Sequence, residues 1–429
     1  ASDVYKRQIL FIIPYIPYPL NSGGNQAFFN MVEYIRKRMS VSVLLYPRTT
    51  KEQNHIEALK KIWDNVTFFV FQENKEPIQK SFYFSLLEKI KASVTRKMRR
   101  RLNKLKKDPV REKAVLFQSV FPAFPSQYLD YVANISRQGF DIIQVEFYEL
   151  ISLGYILPHD VESVFVHHEI RYIRNENEMN LFHNLTEREK MIFQVAKDYE
   201  RAALQQYKHI IALTDTDKYI LEQFIGENKS IFSSPAVIQP IKEHPFQPAT
   251  SNRLTFIGSG DHYPNNDAMQ WFISEIIPIL HKKGFRFTLD IIGSWNSYDI
   301  KAAEAFEEIR MTGFIPDLAA HISGSIALIP IRIGSGMRMK ALDAVAAQVP
   351  IITTTKGIEG IDLRNEEECL IADSPEAFAD AIIRLSQNTD LQKKLSANAS
   401  ERLKALYQPE RMLEKRMNVY RQITGEYLA

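Results

Sequence analysis

Pro330-Ile331-Arg332-Ile333-Gly334-Ser335-Gly336-Met337-Arg338-Met339-Lys340-Ala341-Leu342-Asp343-Ala344 continues directly from the apolar run Ile326–Pro330. A buried strand that ends in a two-glycine loop and passes into a helix is the turn of a parallel α/β sheet. Glycines there let backbone amides approach an anion closely, and the helix start adds roughly half a positive charge. Arg338 and Lys340, expected in the first helical turns, oppose the helix dipole and so call for an anionic partner. Gly336, Lys340 and Asp343 fall at i, i+4 and i+7, which would put glycine, cation and carboxylate on one helical face. A diphosphate with a ribose beyond it satisfies that pattern. A plain turn with a Lys340–Asp343 surface ion pair satisfies it as well.

Strand and helix alternate outward from this loop in two series. The first opens with Ile9–Ile13, a loop ending in Asn21-Ser22-Gly23-Gly24, and a helix from about Gln26 to Arg38. Apolar runs follow at Val41–Tyr46, Val66–Phe71, Asp141–Val145, Ser163–Val166 and His209–Leu213, with a polar helical span at Asn175–Tyr207. Proline-dotted Ser233–Ser251 reads as a linker. The second series holds Leu254–Ile257, a helix through Ala268–Lys282, Phe287–Ile292, Ile326–Pro330, Ile351–Thr354 and Leu370–Ile371, closed by helices Ser374–Gln387 and Leu391–Leu406. Short apolar strands between amphipathic helices imply parallel sheets covered on both faces. The expected architecture is two doubly wound, Rossmann-like α/β domains, 9–240 and 250–408, facing across a cleft. A last helix within 410–429 is expected to pack back on the first domain. Ala1–Gln8 has the look of non-native translated sequence and is set aside.

A chain of 429 residues with 45% hydrophobic and 24% charged residues has room for two cores and the composition of a globular protein. No run approaches the ~18 apolar residues of a membrane span. The single cysteine, Cys369, excludes an internal disulfide and reads as a buried apolar thiol. With no secretory signal, a cytoplasmic setting is expected.

Lys89–Lys107 holds ten Lys or Arg and no acid, leaving 3 − 10 = −7 for the rest of the chain. Ile90, Val94, Met98, Leu102 and Leu105 make one helical stripe within it. Such a segment suits an anionic membrane surface, where each basic residue contributes roughly 1 kcal/mol. A solvated helix packed on its own domain is the alternative. No nucleic-acid motif accompanies the charge, so a nucleic-acid partner is not expected.

Several further stretches carry a family likeness. They are Phe256-Ile257-Gly258, Tyr263-Pro264-Asn265-Asn266-Asp267 with Trp271-Phe272, Ile291-Ile292-Gly293 and Thr312-Gly313-Phe314-Ile315-Pro316-Asp317. The glycine loop and Pro350–Thr354 leading to Gly357-Ile358-Glu359-Gly360 complete the set. In this order they resemble glycosyltransferase family 4, of the group 1 glycosyltransferases with the GT-B fold, and the likeness extends from Ile9 onward. The resemblance implies a retaining transferase that moves a sugar from a UDP- or GDP-sugar to a glycan or lipid-linked acceptor, without cofactor or metal. Bacterial surface polysaccharide synthesis, cytoplasmic or peripheral on the inner membrane face, is the implied setting.

Its site residues carry over one by one. Phe314 and Ile315 would meet the nucleobase, and Gly334, Ser335, Gly336, Met337, Arg338 and Lys340 the diphosphate. Asp343 would hold the ribose, with Gly258 and Glu359 also on the donor side. Gly23 and Gly24 would close onto the phosphates, and His168 of His168-Glu169 would sit near the transferred sugar. Arg338, Lys340 and His168 are the expected catalytic residues. Two departures stand out: Ser335 and Asp343 occupy the positions of the family's two glutamates. A catalytically degenerate nucleotide-binding relative is therefore the alternative reading.

Other motifs point away from chemistry. Asp215-x-Asp217 lies after a strand, where Thr and Asp cap helices. His167 and His168 are adjacent and so face opposite sides of a strand, one toward the core and one toward the cleft. No Gly-x-Gly-x-x-Gly follows Ile9–Ile13 or Leu254–Ile257, which argues against a dehydrogenase.

Overall fold

The computed structural model describes residues 6–20, 23–73, 114–119, 121, 123–226, 229–236, 244–296, 303 and 306–425. The basic stretch 89–107 and the pair Asn21-Ser22 lie outside the described residues.

Two parallel sheets organise the chain. The first has the order β3-β2-β1-β4-β5-β6-β7. Its strands are β1 (Gln8–Ile12), β2 (Ser40–Leu45), β3 (Val66–Val70), β4 (Ile142–Glu146), β5 (Glu162–His167), β6 (His209–Ala212) and β7 (Ser230–Ser233). The second has the order β10-β9-β8-β11-β12-β13. It is built from β8 (Arg253–Ile257), β9 (Thr288–Ile292), β10 (Ile309–Gly313), β11 (Ile326–Ile329), β12 (Ile351–Thr353) and β13 (Leu370–Ile371). Consecutive residues of β1 serve opposite faces: Ile9 and Phe11 join one apolar cluster, Leu10 and Ile12 another. Burial on both faces is what makes these strands continuous apolar runs instead of alternating ones.

The structure alters several sequence expectations. Arg7 and Gln8, at the end of the stretch set aside, make contacts with the first sheet. Gln8 pairs with Ser40 in the sheet, its amide donates to Asp141 at 2.7 Å, and the Arg7 guanidinium donates to the same carboxylate at 2.9 Å. The first helix spans Gly23–Ile35, so Gly23 and Gly24 form its first turn and do not precede it. β7 (Ser-Ile-Phe-Ser) and β10 (Ile-Arg-Met-Thr-Gly) escaped notice because polar residues break their apolar runs. The helix expected through Ala268–Lys282 begins at Tyr263 and is π-wound over Phe272–Ile276. Pro278, which lacks an N–H, opens the next segment, and the widened turn accommodates it.

The C-terminal helix Pro409–Ile423 lies on the first domain. Tyr34 donates to Glu414 at 2.9 Å, Arg416 donates to the Ser234 hydroxyl at 2.8 Å, and Tyr420 donates to Gln144 Oε1 at 2.7 Å. Among the described residues no helix is long and apolar enough to cross a membrane.

Tyr420 is buried, and Tyr420→Phe removes its hydroxyl with little change of shape. The variant is expected to lower the unfolding free energy by about 1–3 kcal/mol, because Gln144 Oε1 is left buried without its donor. Urea unfolding of the two proteins measures the difference.

Candidate active site

The strands of both sheets deliver their carboxyl ends to one crevice, the usual ligand position in doubly wound sheets. β4 brings Glu146, β5 brings His167 and His168, and β11 leads into the glycine loop. Gly23, Gly24, Phe28, Glu146, His168 and Met339 are among the residues lining a cavity of about 210 Å³ there. Met337 lines it too, and Gly23 lies close to Met339 across the crevice.

The glycine loop is docked on the first domain. The Ile170 amide donates to Ser335 Oγ at 2.7 Å, and the Gly334 amide donates to Asn177 Oδ1 at 3.2 Å. Gly336 has φ +83°, and a Cβ there would stand 2.3 Å from the His168 carbonyl oxygen. Only glycine fits such a position. Ser335, expected against the donor, thus uses its oxygen in a bond between domains.

The helix after the loop spans Met339–Ala346, with Arg338 just outside it. The single helical face expected for Gly336, Lys340 and Asp343 does not form, because residues 336–338 are not helical. The Lys340–Asp343 ion pair does not form either. Lys340 Nζ donates instead to Asn265 Oδ1 and stands 4.9 Å above the Phe256 ring. Burial, helped by Arg338 and opposed by Asp343, lowers its pKa to about 7. Burial likewise raises the half-buried Asp343 to about 6, against the pull of Lys340.

Arg338 is buried. Its Nε donates to the Lys356 carbonyl and its Nη1 to the Ser335 carbonyl, each at 3.2 Å. Its Nη2 is buried with no hydrogen-bond partner among the described residues. Burial pulls the guanidinium pKa down, while Glu169, Glu359 and Asp217 support its charge. Glu359 itself pairs with Lys356 at 2.7 Å. Burial alone would raise Glu169, but Arg174, His262 and Arg171 prevail and hold it at about 2. Its salt bridge to Arg174 is 2.9 Å long.

On the first-domain side, the His168 ring stacks on Phe147 with centroids 3.9 Å apart and planes at 7°. Its Nε2 lies 2.9 Å from Glu146 Oε2, and the other Glu146 oxygen accepts from Gln144 Nε2 at 2.6 Å. A carboxylate has no proton to give, so His168 Nε2 is the donor in this pair. His167 is buried against Glu200, 2.8 Å away. Phe314 is 64% exposed and Ile315 half-buried, both just beyond β10. Gly258 follows β8, and its carbonyl accepts from Trp295 Nε1 at 2.9 Å.

Glu146, Asn177 and Asn265 were not among the expected site residues. Asn265 stood inside a quoted motif, and Glu146 at a strand end. Nothing local in the sequence marks Asn177. Asp215 and Asp217 lie in the first turn of the helix Asp215–Ile225, and the cap is Thr214, whose hydroxyl accepts from the Asp217 amide at 2.9 Å. Among the described residues no group of three or more His, Cys, Asp or Glu has the arrangement to hold a metal. Cys369 is buried, and burial pushes its thiol up to about 12.

Known structures share this two-sheet layout. A TarM variant of S. aureus, solved with Fondaparinux, alpha-GlcNAc-glycerol and UDP, superposes with TM-score 0.65 at 12% identity, covering 96% of this chain and 99% of that one. The sucrose-phosphate synthase of Thermosynechococcus elongatus gives TM-score 0.65 at 14% identity over 98% and 100% of the two chains. The fold is GT-B. Within this GT-B chain, residues 251–388 match the family model described as "Glycosyl transferases group 1". A Klebsiella pneumoniae protein, "Uncharacterized 44.6 kDa protein in cps region", is 28% identical over 185 residues, 40% of this chain and 47% of that protein. The match therefore spans about half the length of that curated relative.

Lys340 also fixes a pH dependence of stability. Its folded pKa of about 7 lies below the ordinary lysine value of 10.5, so the unfolded chain binds the extra proton between those values. Stability thus gains with rising pH across that window, and the full penalty is present below about 7. Lys340→Met is expected to be most favourable, relative to wild type, near pH 6. That advantage should shrink toward pH 10, as read from denaturant midpoints.

Proposed function

We propose that this chain is a retaining glycosyltransferase moving a sugar from a UDP- or GDP-linked donor to a glycan or lipid-linked acceptor, without a metal. The observation that carries this reading is Arg338. A buried guanidinium with an unpartnered N–H, beside Lys340 and a glycine loop, is a site built for an anion that protein groups leave unsatisfied. Departure of the nucleotide requires charge stabilisation on the diphosphate. Arg338, Lys340 and the loop amides supply it as a preorganised, partly water-excluded set of donors. The acceptor hydroxyl attacks on the face the nucleotide leaves, with His168 Nδ1 beside the transferred sugar. Phe314 and Ile315 take the base, and Asp343 the ribose.

The group 1 match over residues 251–388 supports the transferase class, and the cps-region relative supports bacterial surface polysaccharide synthesis. The proposed setting is the inner face of the cell membrane, with residues 89–107 on anionic lipid. One observation favours a second reading, a nucleotide-binding relative that has lost turnover. The Ser335 hydroxyl, in the loop the resemblance assigns to the donor's diphosphate, is engaged by the Ile170 amide.

Melting in the presence of UDP, GDP and their sugars, without and with EDTA, tests the proposal. A ligand at 100 times its Kd adds about 2.7 kcal/mol to the native state, a shift of several degrees. The expected result is a shift with one nucleotide family that survives EDTA. No shift with any nucleotide would overturn both readings, and binding without transfer to any acceptor would favour the degenerate one. Lys340→Ala is expected to cost about 2–4 kcal/mol of transition-state stabilisation, read as kcat/KM. Because free Lys340 titrates at about 7 and the diphosphate needs it charged, nucleotide binding should weaken above pH 7. At pH 8 binding should take up a proton, which calorimetry in buffers of different ionisation enthalpy detects.

A further inference from the structure

The helix Gly23–Ile35 carries Gly24, Ala27, Phe28 and Met31 along one side, and all four line the cavity beside the glycine loop. Two helical turns, about 10 Å along the axis, separate Gly24 from Met31. The cavity therefore runs inward from the crevice, and Arg416 of the C-terminal helix stands at its Met31 end. Val166, Leu213 and Ala236 add to a mostly apolar wall. Apart from His168, the ionisable groups that interrupt it are Glu146 and Arg416. Arg416 is buried. Its Nε donates to the Ser234 hydroxyl at 2.8 Å and its Nη2 to the Ser234 carbonyl at 3.2 Å, but its Nη1 is directed at Met31 Sδ, 3.2 Å away. A thioether is a weak acceptor, so this N–H keeps most of its capacity for a carbonyl oxygen. Each Glu146 oxygen accepts one N–H, from Gln144 and from His168, and a carboxylate with about four lone-pair sites takes a third. The wall thus offers a ligand one donor and one acceptor in apolar surroundings.

We infer that the transferred sugar is an N-acylated amino sugar whose acyl group enters this cavity. Arg416 Nη1 donates to the amide carbonyl, Glu146 accepts from the amide N–H, and the methyl group lies against Ala27, Phe28, Val166 and Ala236. The formal charges of Arg416 and Glu146 cancel, which favours a neutral group over a carboxylate or a phosphate. A cavity of about 150 Å³ admits a benzene ring, so about 210 Å³ holds an acetamido group and part of the ring that bears it. A sugar hydroxyl in the same place would meet the polar groups but leave the apolar space unfilled, at the cost of the missing contacts. The inference rests on the transferase reading above and adds to it the class of sugar.

Calorimetric titration of the full chain with donor pairs that differ at one substituent tests it. The pairs are N-acetylglucosamine against glucose and N-acetylgalactosamine against galactose, each as its UDP and its GDP derivative. Within the nucleotide family that binds, the acetamido member of at least one pair is expected to bind about tenfold tighter than its hydroxyl counterpart. Ala27→Leu fills the cavity from the helix and is expected to abolish that preference. Arg416→Lys removes Nη1 and should reduce it in the same direction. The ratio within a pair is the readout, so a general loss of affinity does not imitate the result. Because Arg416 also holds Ser234, Ala27→Leu carries the test if Arg416→Lys fails to fold. Equal binding within every pair, or tighter binding of the hydroxyl members, would overturn the sugar class and leave the transferase reading standing. A preference that survives both variants would overturn the cavity as the acyl site. Binding of no nucleotide derivative would overturn the transferase reading and this inference with it.

Discussion

Between Gly336 and the His168 carbonyl oxygen there is no room for a side chain, since a Cβ at Gly336 would approach that oxygen to 2.3 Å. This contact joins the loop after β11 of the second sheet to the end of β5 in the first. The Ile170–Ser335 and Asn177–Gly334 hydrogen bonds flank it. The glycine does two jobs at once. It gives the loop the positive φ that turns it toward the crevice, and it lets the two domains meet. A substitution here would therefore disturb the relation of the domains as well as the anion loop.

Charge in the crevice is arranged around that contact. Arg338 is withdrawn from water and surrounded by Glu169, Glu359 and Asp217, while its remaining N–H has no partner among the described residues. Lys340 is held near neutrality by burial and by Arg338. Two cations close together and half removed from solvent are costly, and acidic neighbours offset only part of that cost. An entering dianion would complete the balance. The same residues are thus a costly cluster in the free protein and, under the proposed function, would be a preorganised site for a leaving diphosphate.

The fold was legible wherever burial on both sheet faces left uninterrupted apolar runs, as in Ile9–Ile13 and Ile326–Ile329. It was not legible where polar residues punctuate an edge strand: β7 and β10 end their respective sheets, and edge positions tolerate Ser, Arg and Thr. The glycine loop was readable as a strand-to-helix junction, because glycines directly after a buried apolar run mark such a turn. Its detailed contacts were not. Asn265 lies 75 residues from Lys340 and Asn177 lies 157 from Gly334, so the first pair meets only once the second domain is folded and the second only once the two domains come together. The expected helical face of Gly336 with Lys340 failed for a related reason, since the backbone at 336–338 follows its contact with the first domain and not helical periodicity.

The return of the C-terminal helix to the first domain links distant sequence to the crevice. Tyr420 donates to Gln144 Oε1, the Gln144 amide nitrogen donates to Glu146, and Glu146 accepts from His168. The Glu146 carboxylate sets the polarity. It can only accept, so it takes an N–H from Gln144 Nε2 and one from His168 Nε2, which leaves Gln144 Oε1 to accept from the Tyr420 hydroxyl. Phe147, at φ +71°, holds the ring from one side by stacking. One crevice histidine is thus linked to a tyrosine 252 residues further along the chain by a run of hydrogen bonds whose polarity the carboxylate sets.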